Sequence, residues 1–164
     1  MRESAAGAEA SEKYATALAE MCSESPWIEL VLELLREAAS DGNPEASYAL
    51  ATRFLNGKPP WVEKDPPSAI PFLEVAVRAN IPAAAYDLAI SYEKGQGVPK
   101  DLRRAFELYL RAALWGDEEA VYEVACCYFY GLGVTVDEEA GRIWMDRARA
   151  LGINSDGDRE PAPS

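Results

Sequence analysis

Between Ala10 and Leu151 apolar residues return at intervals of three and four, and no stretch alternates with a period of two. That rhythm predicts helices and no strands. Residues 8–21 read as a short amphipathic helix through Ala10, Tyr14, Ala17, Leu18 and Met21, and a strongly apolar helix follows from Trp27 to just before Gly42. Asn43-Pro44-Glu45 opens the next: a capping side chain, a proline at the first helical position and an acid at the positive end of the dipole. It runs to about Asn56 and is stopped by Gly57 and Pro59-Pro60. Four more helices are predicted, from about Pro67 to Asn80, Pro82 to Lys94, Leu102 to Trp115 and Asp117 to Tyr130, and a last one from Asp137 to about Leu151. Pro71 is placed in the first turn of its helix, where a missing N–H costs little. Residues 1–7 and 153–164 are small or polar and are expected to be disordered.

The helices are not independent. Ala84–Gly116 returns, loosely rewritten, as Ala120–Gly152, with every matched pair 36 residues apart. Tyr92 matches Tyr128, Gly95 and Gly97 match Gly131 and Gly133, and Asp101 matches Asp137. A degenerate copy precedes them through Ala46, Leu50, Ala51, Phe54 and Gly57; it carries a two-residue insertion near Trp61 and has lost the second glycine. A period of this length means supersecondary units that bury a core only against their neighbours. The small, aromatic and glycine positions resemble the Sel1-like repeat, a relative of the tetratricopeptide repeat. The resemblance implies an all-α fold, a right-handed α-solenoid of stacked antiparallel helix hairpins with seven or eight helices. It divides a repeat domain at 8–152 into a half unit at 26–42, represented by its second helix alone, a degenerate unit at 43–80 and full units at 81–116 and 117–152. Gly141 stands where the pattern wants Ala, which predicts a looser helix contact there. The Gly-x-Gly pairs are read as turns needing left-handed backbone, because neither a preceding strand nor a following Lys-Ser/Thr marks a phosphate loop.

Charge narrows the class of partner. Sixteen basic against 28 acidic residues give a formal charge of −12, which disfavours nucleic acid and anionic membrane and steers basic partners. The first residues lack an apolar targeting segment and no run is long enough to span a membrane, so a soluble cytoplasmic protein is expected. Cys22, Cys126 and Cys127 show no metal spacing, and adjacent cysteines on one helix bridge poorly, so reduced thiols are expected. The chain contains no histidine, which excludes histidine-based triads and metal sites, and no carboxylate pair stands out for acid–base work. The expectation is a protein without enzymatic activity, metal or cofactor.

The resemblance also implies that the first helix of each hairpin lines a concave face. There Tyr48, Tyr86 and Tyr122 form an aligned column, with Ile90, Glu93, Phe129 and Tyr130 among the inward neighbours. Rigid rings in a groove make good binding anchors, although the same tyrosines could serve only to pack hairpins together. Trp61 in the inserted loop is a second candidate, as a contact or as a lid on the first hairpin. Glu29, Glu33 and Glu37 share one helix face at a cost in like-charge repulsion and form an acidic stripe that suits a basic partner or is simply solvated. Asp117–Glu119 and Asp137–Glu139 are explained by capping. Two functions follow: an immunity or inhibitor protein that neutralises a cognate basic toxin or effector, or a scaffold assembling a bacterial signalling or secretion complex. A monomer or weak homodimer is expected in either case.

Overall fold

A computed structural model describes residues 5–21, 27–57 and 62–153. Among these residues there are eight helices: α1 Ala5–Met21, α2 Ile28–Ser40, α3 Pro44–Asn56, α4 Pro66–Arg78, α5 Pro82–Lys94, α6 Leu102–Leu114, α7 Glu118–Tyr130 and α8 Glu138–Ala150. They pair as hairpins α1/α2, α3/α4, α5/α6 and α7/α8, and each hairpin stacks on the next through α2–α3, α4–α5 and α6–α7. The result is the α-solenoid expected from the repeat. Trp61, Cys22 and the tail from 154 lie outside the described residues, and no helix among the described residues is long and apolar enough to cross a membrane.

Local chemistry sets the element ends. The side chains of Asn43, Asp65, Asp101, Asp117 and Asp137 each accept from the backbone N–H three residues on, which satisfies an otherwise orphaned donor. The turns of the last three hairpins close by the same backbone bond: Asp65 N–H to Phe54 O at 2.8 Å, Asp101 to Tyr92 at 2.9 Å, Asp137 to Tyr128 at 3.0 Å. The degenerate unit therefore keeps its register despite the inserted residues. Alanines buried at the hairpin contacts, such as Ala51, Ala89, Ala112 and Ala125, let the helices approach closely. Larger side chains fill the seams between helices: Phe54 stacks on Phe72 with centroids 5.9 Å apart, and Phe106 meets Tyr128 edge-on at 5.3 Å.

Four sequence expectations need correction. The first helix begins at Ala5, so residues 5–7 belong to it. The helix α2 is not a lone half unit, because Ala10 and Ala17 of α1 are buried and α1 completes its hairpin. The helix α4 starts at Pro66, so Pro71 is its sixth residue, past the first turn. There it removes a helical N–H and crowds the turn before it. Pro71 is exposed, and Pro71→Ala is expected to raise stability by about 1–3 kcal/mol, read as a higher urea midpoint. Finally, the contact at Gly141 is filled, not loose: a Cβ placed there would lie 3.0 Å from three ring carbons of Phe129.

Candidate functional site

The first helices α3, α5 and α7 carry the tyrosine column on one face of the stack. Tyr48, Tyr86 and Tyr122 are all half-buried, and each is engaged. The Tyr48 hydroxyl donates to Asp87 Oδ2 at 3.1 Å, which ties α3 to α5 across the hairpin boundary. The Tyr86 ring leans on Tyr109 with centroids 5.7 Å apart. Tyr109, buried on α6, sends its hydroxyl to Glu93 Oε2 at 2.8 Å. The Tyr122 hydroxyl is held above the usual tyrosine range by burial and by its neighbour Cys126.

Asp87 is the centre of this face. Burial raises its carboxyl above the usual carboxylate range; the Tyr48 hydrogen bond opposes the shift, and the charges of Asp117 and Glu119 add to it. Among the described residues no ammonium or guanidinium is a cause of that shift. The same three acids reach Tyr48, whose hydroxyl is pushed up first by burial and then by Asp87. Beside them Tyr109 is raised by burial, by its bond to Glu93 and by the charge of Glu123. The face is thus rich in acceptors and aromatic rings, a surface that accepts donated hydrogen bonds from guanidinium or ammonium groups.

The remaining candidates divide. Ile90 is half-buried against the core, and Tyr130 at the end of α7 is 56% exposed. Phe129 turns toward α8, its ring over Gly141, so it does not join the inward column. Glu29, Glu33 and Glu37 are exposed on α2, a second helix, and so lie apart from the first-helix face. Glu37 is held 3.4 Å from Lys13 Nζ, which also meets Glu9 at 3.4 Å and Asp41 at 2.7 Å. The residue that sequence reasoning missed is Asp87. Its signal was the dipeptide Tyr86-Asp87, repeated as Tyr122-Glu123 at the same 36-residue spacing.

The thiols are not reactive centres of equal rank. Cys126 is half-buried and Cys127 buried, and neither forms a disulfide among the described residues. Burial, with help from Glu123, pushes the Cys127 thiol up to about 12. At pH 8 the folded protein is expected to take iodoacetamide at Cys126 well before Cys127, read by tandem mass spectrometry of the shared peptide. Equal labelling would mean that α7 opens faster than the reagent reacts.

Comparison with known proteins places this geometry. The Sel1 repeat model matches residues 44–80, 82–117 and 118–153. The DAP3-binding cell death enhancer 1 of Mus musculus is 33% identical over 95 residues, 58% of this chain and 18% of that protein. The chain spans between 12% and 18% of the length of such curated relatives. Among solved structures, the uropathogenic Escherichia coli protective antigen c5321 superposes with a TM-score of 0.82 at 27% identity, over 88% of this chain and 31% of that one. The immunity protein Pa5087 of Pseudomonas aeruginosa superposes with a TM-score of 0.56 at 26% identity, over 87% of this chain and 53% of that one.

Proposed function

Because this chain belongs to the Sel1 repeat family, a protein-interaction fold, we propose that its first-helix face binds a basic protein partner and that it acts as an immunity or inhibitor protein. In this reading it covers and neutralises a cognate basic effector or toxin in the cytoplasm. The observation that carries the proposal is Asp87. A half-buried carboxylate beside Asp117 and Glu119, answered among the described residues by the Tyr48 hydroxyl, gains most from a cation brought in by a partner. The formal charge of −12 adds long-range steering, and the similarity to the immunity protein Pa5087 supports the biological role.

The test is capture on the immobilised chain from its host extract, with low- and high-salt washes and mass spectrometry. One stoichiometric basic protein released by salt, toxic when expressed alone and harmless with this chain, is the expected result. A second reading, a scaffold or adaptor in a larger assembly, is favoured by the similarity to a DAP3-binding protein. Several partners that resist salt would select it and would end the inhibitor reading.

A further inference from the structure

Away from the tyrosine column, three arginines gather at one opening in the stack. Between α4 and α6, over α5, lies an open cavity of about 410 Å³. Val77, Leu88 and Leu108 line it, all buried, with Tyr92 beside them. Three arginines also line it: Arg78 from α4, Arg104 and Arg111 from α6. In a chain of formal charge −12 this concentration of cations runs against composition. The two acids of the cavity do not cancel it. Glu107 is shared with Arg103, 3.3 Å away and outside the lining, and Arg104 is engaged by Asp101, so the lining sets three guanidinium groups against Glu74 and part of Glu107.

Two of those groups are held in place. Arg104 Nη1 donates to Tyr92 Oη at 3.1 Å, its guanidinium carbon lies 5.4 Å from that ring, and its Nε is 3.5 Å from Asp101. Arg111 sits 4.7 Å over Trp115. Arg78 makes no ion pair among the described residues and is exposed.

Stacking does not require these arginines. One repeat later, Arg78 and Arg104 are answered by Leu114 and Ala140, and only Arg111 by another arginine, Arg147. One repeat earlier, Arg104 and Arg111 are answered by Ser68 and Val75. Those neighbouring grooves belong to the same continuous stack without the triad.

We infer that the cavity between α4 and α6 is a second docking site, for an acidic segment of a partner protein that alternates carboxylates with apolar side chains. The carboxylates pair with Arg78, Arg104 and Arg111, whose planar forks suit two-point bonding. The apolar side chains cover Val77, Leu88 and Leu108. A free phosphate would leave that lining wet and most of the volume empty. The site is independent of the first-helix face, which attracts the opposite charge.

The probe is a fluorescein-labelled peptide of alternating Asp and Leu, titrated by anisotropy against the whole chain. A Lys-Leu peptide serves as control and inorganic phosphate as competitor. Saturable binding of the Asp-Leu peptide is expected, weaker by about tenfold or more in Arg104→Gln/Arg111→Gln, the scale of a lost charged hydrogen bond. Arg78→Gln, which breaks no ion pair among the described residues, should weaken binding with little change in the melting curve, and Tyr48→Phe should leave binding unchanged. Absence of saturable binding, equal binding by the arginine variants, or phosphate competing as well as unlabelled peptide would each overturn the inference.

Discussion

Gly133→Ala is expected to cost about 3–5 kcal/mol, a large fraction of the roughly 5–15 kcal/mol that holds a domain together. Two effects add. The residue sits at φ +75°, and an alanine held in left-handed backbone loses about 1–2 kcal/mol. More importantly, a Cβ at Gly133 would lie 2.0 Å from Leu102 O, 2.4 Å from Leu102 C and 2.7 Å from Arg103 N. Those atoms are backbone in the first turn of α6, so no rotamer change relieves the clash, and the α7–α8 loop has to lift off the preceding hairpin. Gly95→Ala is the matched control. Its φ is +68°, but its nearest outside atom is Lys100 Cβ at 3.4 Å, so it should show the backbone cost alone. Urea unfolding of both variants, followed by circular dichroism, checks this. Similar midpoints for the two would mean that the second glycine of the pair is a turn residue only and that units do not interlock there.

That interlock marks the limit of what the sequence displays. The repeat, its helix ends and the hairpin stack are legible because each rests on local pattern: Asn43, Asp101, Asp117 and Asp137 cap the helices they immediately precede, and Gly95 and Gly131 end helices in left-handed backbone. The need for left-handed backbone at Gly97 and Gly133 is legible too. Their deeper role is not, because it lies in contact with Pro66 and Leu102, about thirty residues upstream. The fate of Phe129 was hidden for a related reason. Pattern assigned it to the inward face, but the missing side chain at Gly141 leaves a space on α8 that the ring fills. Pro71 was misjudged because even a start at Pro67 makes it the fifth helical residue, already past the tolerated first turn, and the observed start at Pro66 makes it the sixth. The arginine cavity was invisible because its lining converges from three helices, and only stacking brings Arg78 beside Arg104 and Arg111. Asp87 looked like one more solvated acid until the hairpins closed over it.

Asp87→Asn is expected to pull stability and binding in opposite directions. The carboxyl is raised above the usual range in the fold, chiefly by burial and then by Asp117 and Glu119. Across the window between its unfolded and folded values the folded state therefore binds more protons than the unfolded one, and stability falls as pH rises through it. Above its unfolded value the ionised group is a net cost to the fold, and the full cost is felt once pH has passed the folded value. Asparagine removes the charge and keeps a carbonyl oxygen that accepts from the Tyr48 hydroxyl, so the variant should gain about 0.5–2 kcal/mol at pH 7. For a chain of this size that is a melting point higher by roughly 2–4 °C per kcal/mol. The gain should shrink as pH is lowered through the window, where the native carboxyl already carries its proton. Affinity for a basic partner should fall about tenfold or more at low salt, since the acceptor of its cation is gone. Tyr48→Phe provides the contrast: it removes the hydroxyl that donates to Asp87, which lowers stability by about 1–3 kcal/mol, while the negative charge that a basic partner seeks remains. A pH-independent change in the melting point of Asp87→Asn, or a loss of stability at pH 7, would place the carboxylate among the groups that hold the fold. The expected pattern places it among those that the fold tolerates for the sake of a partner.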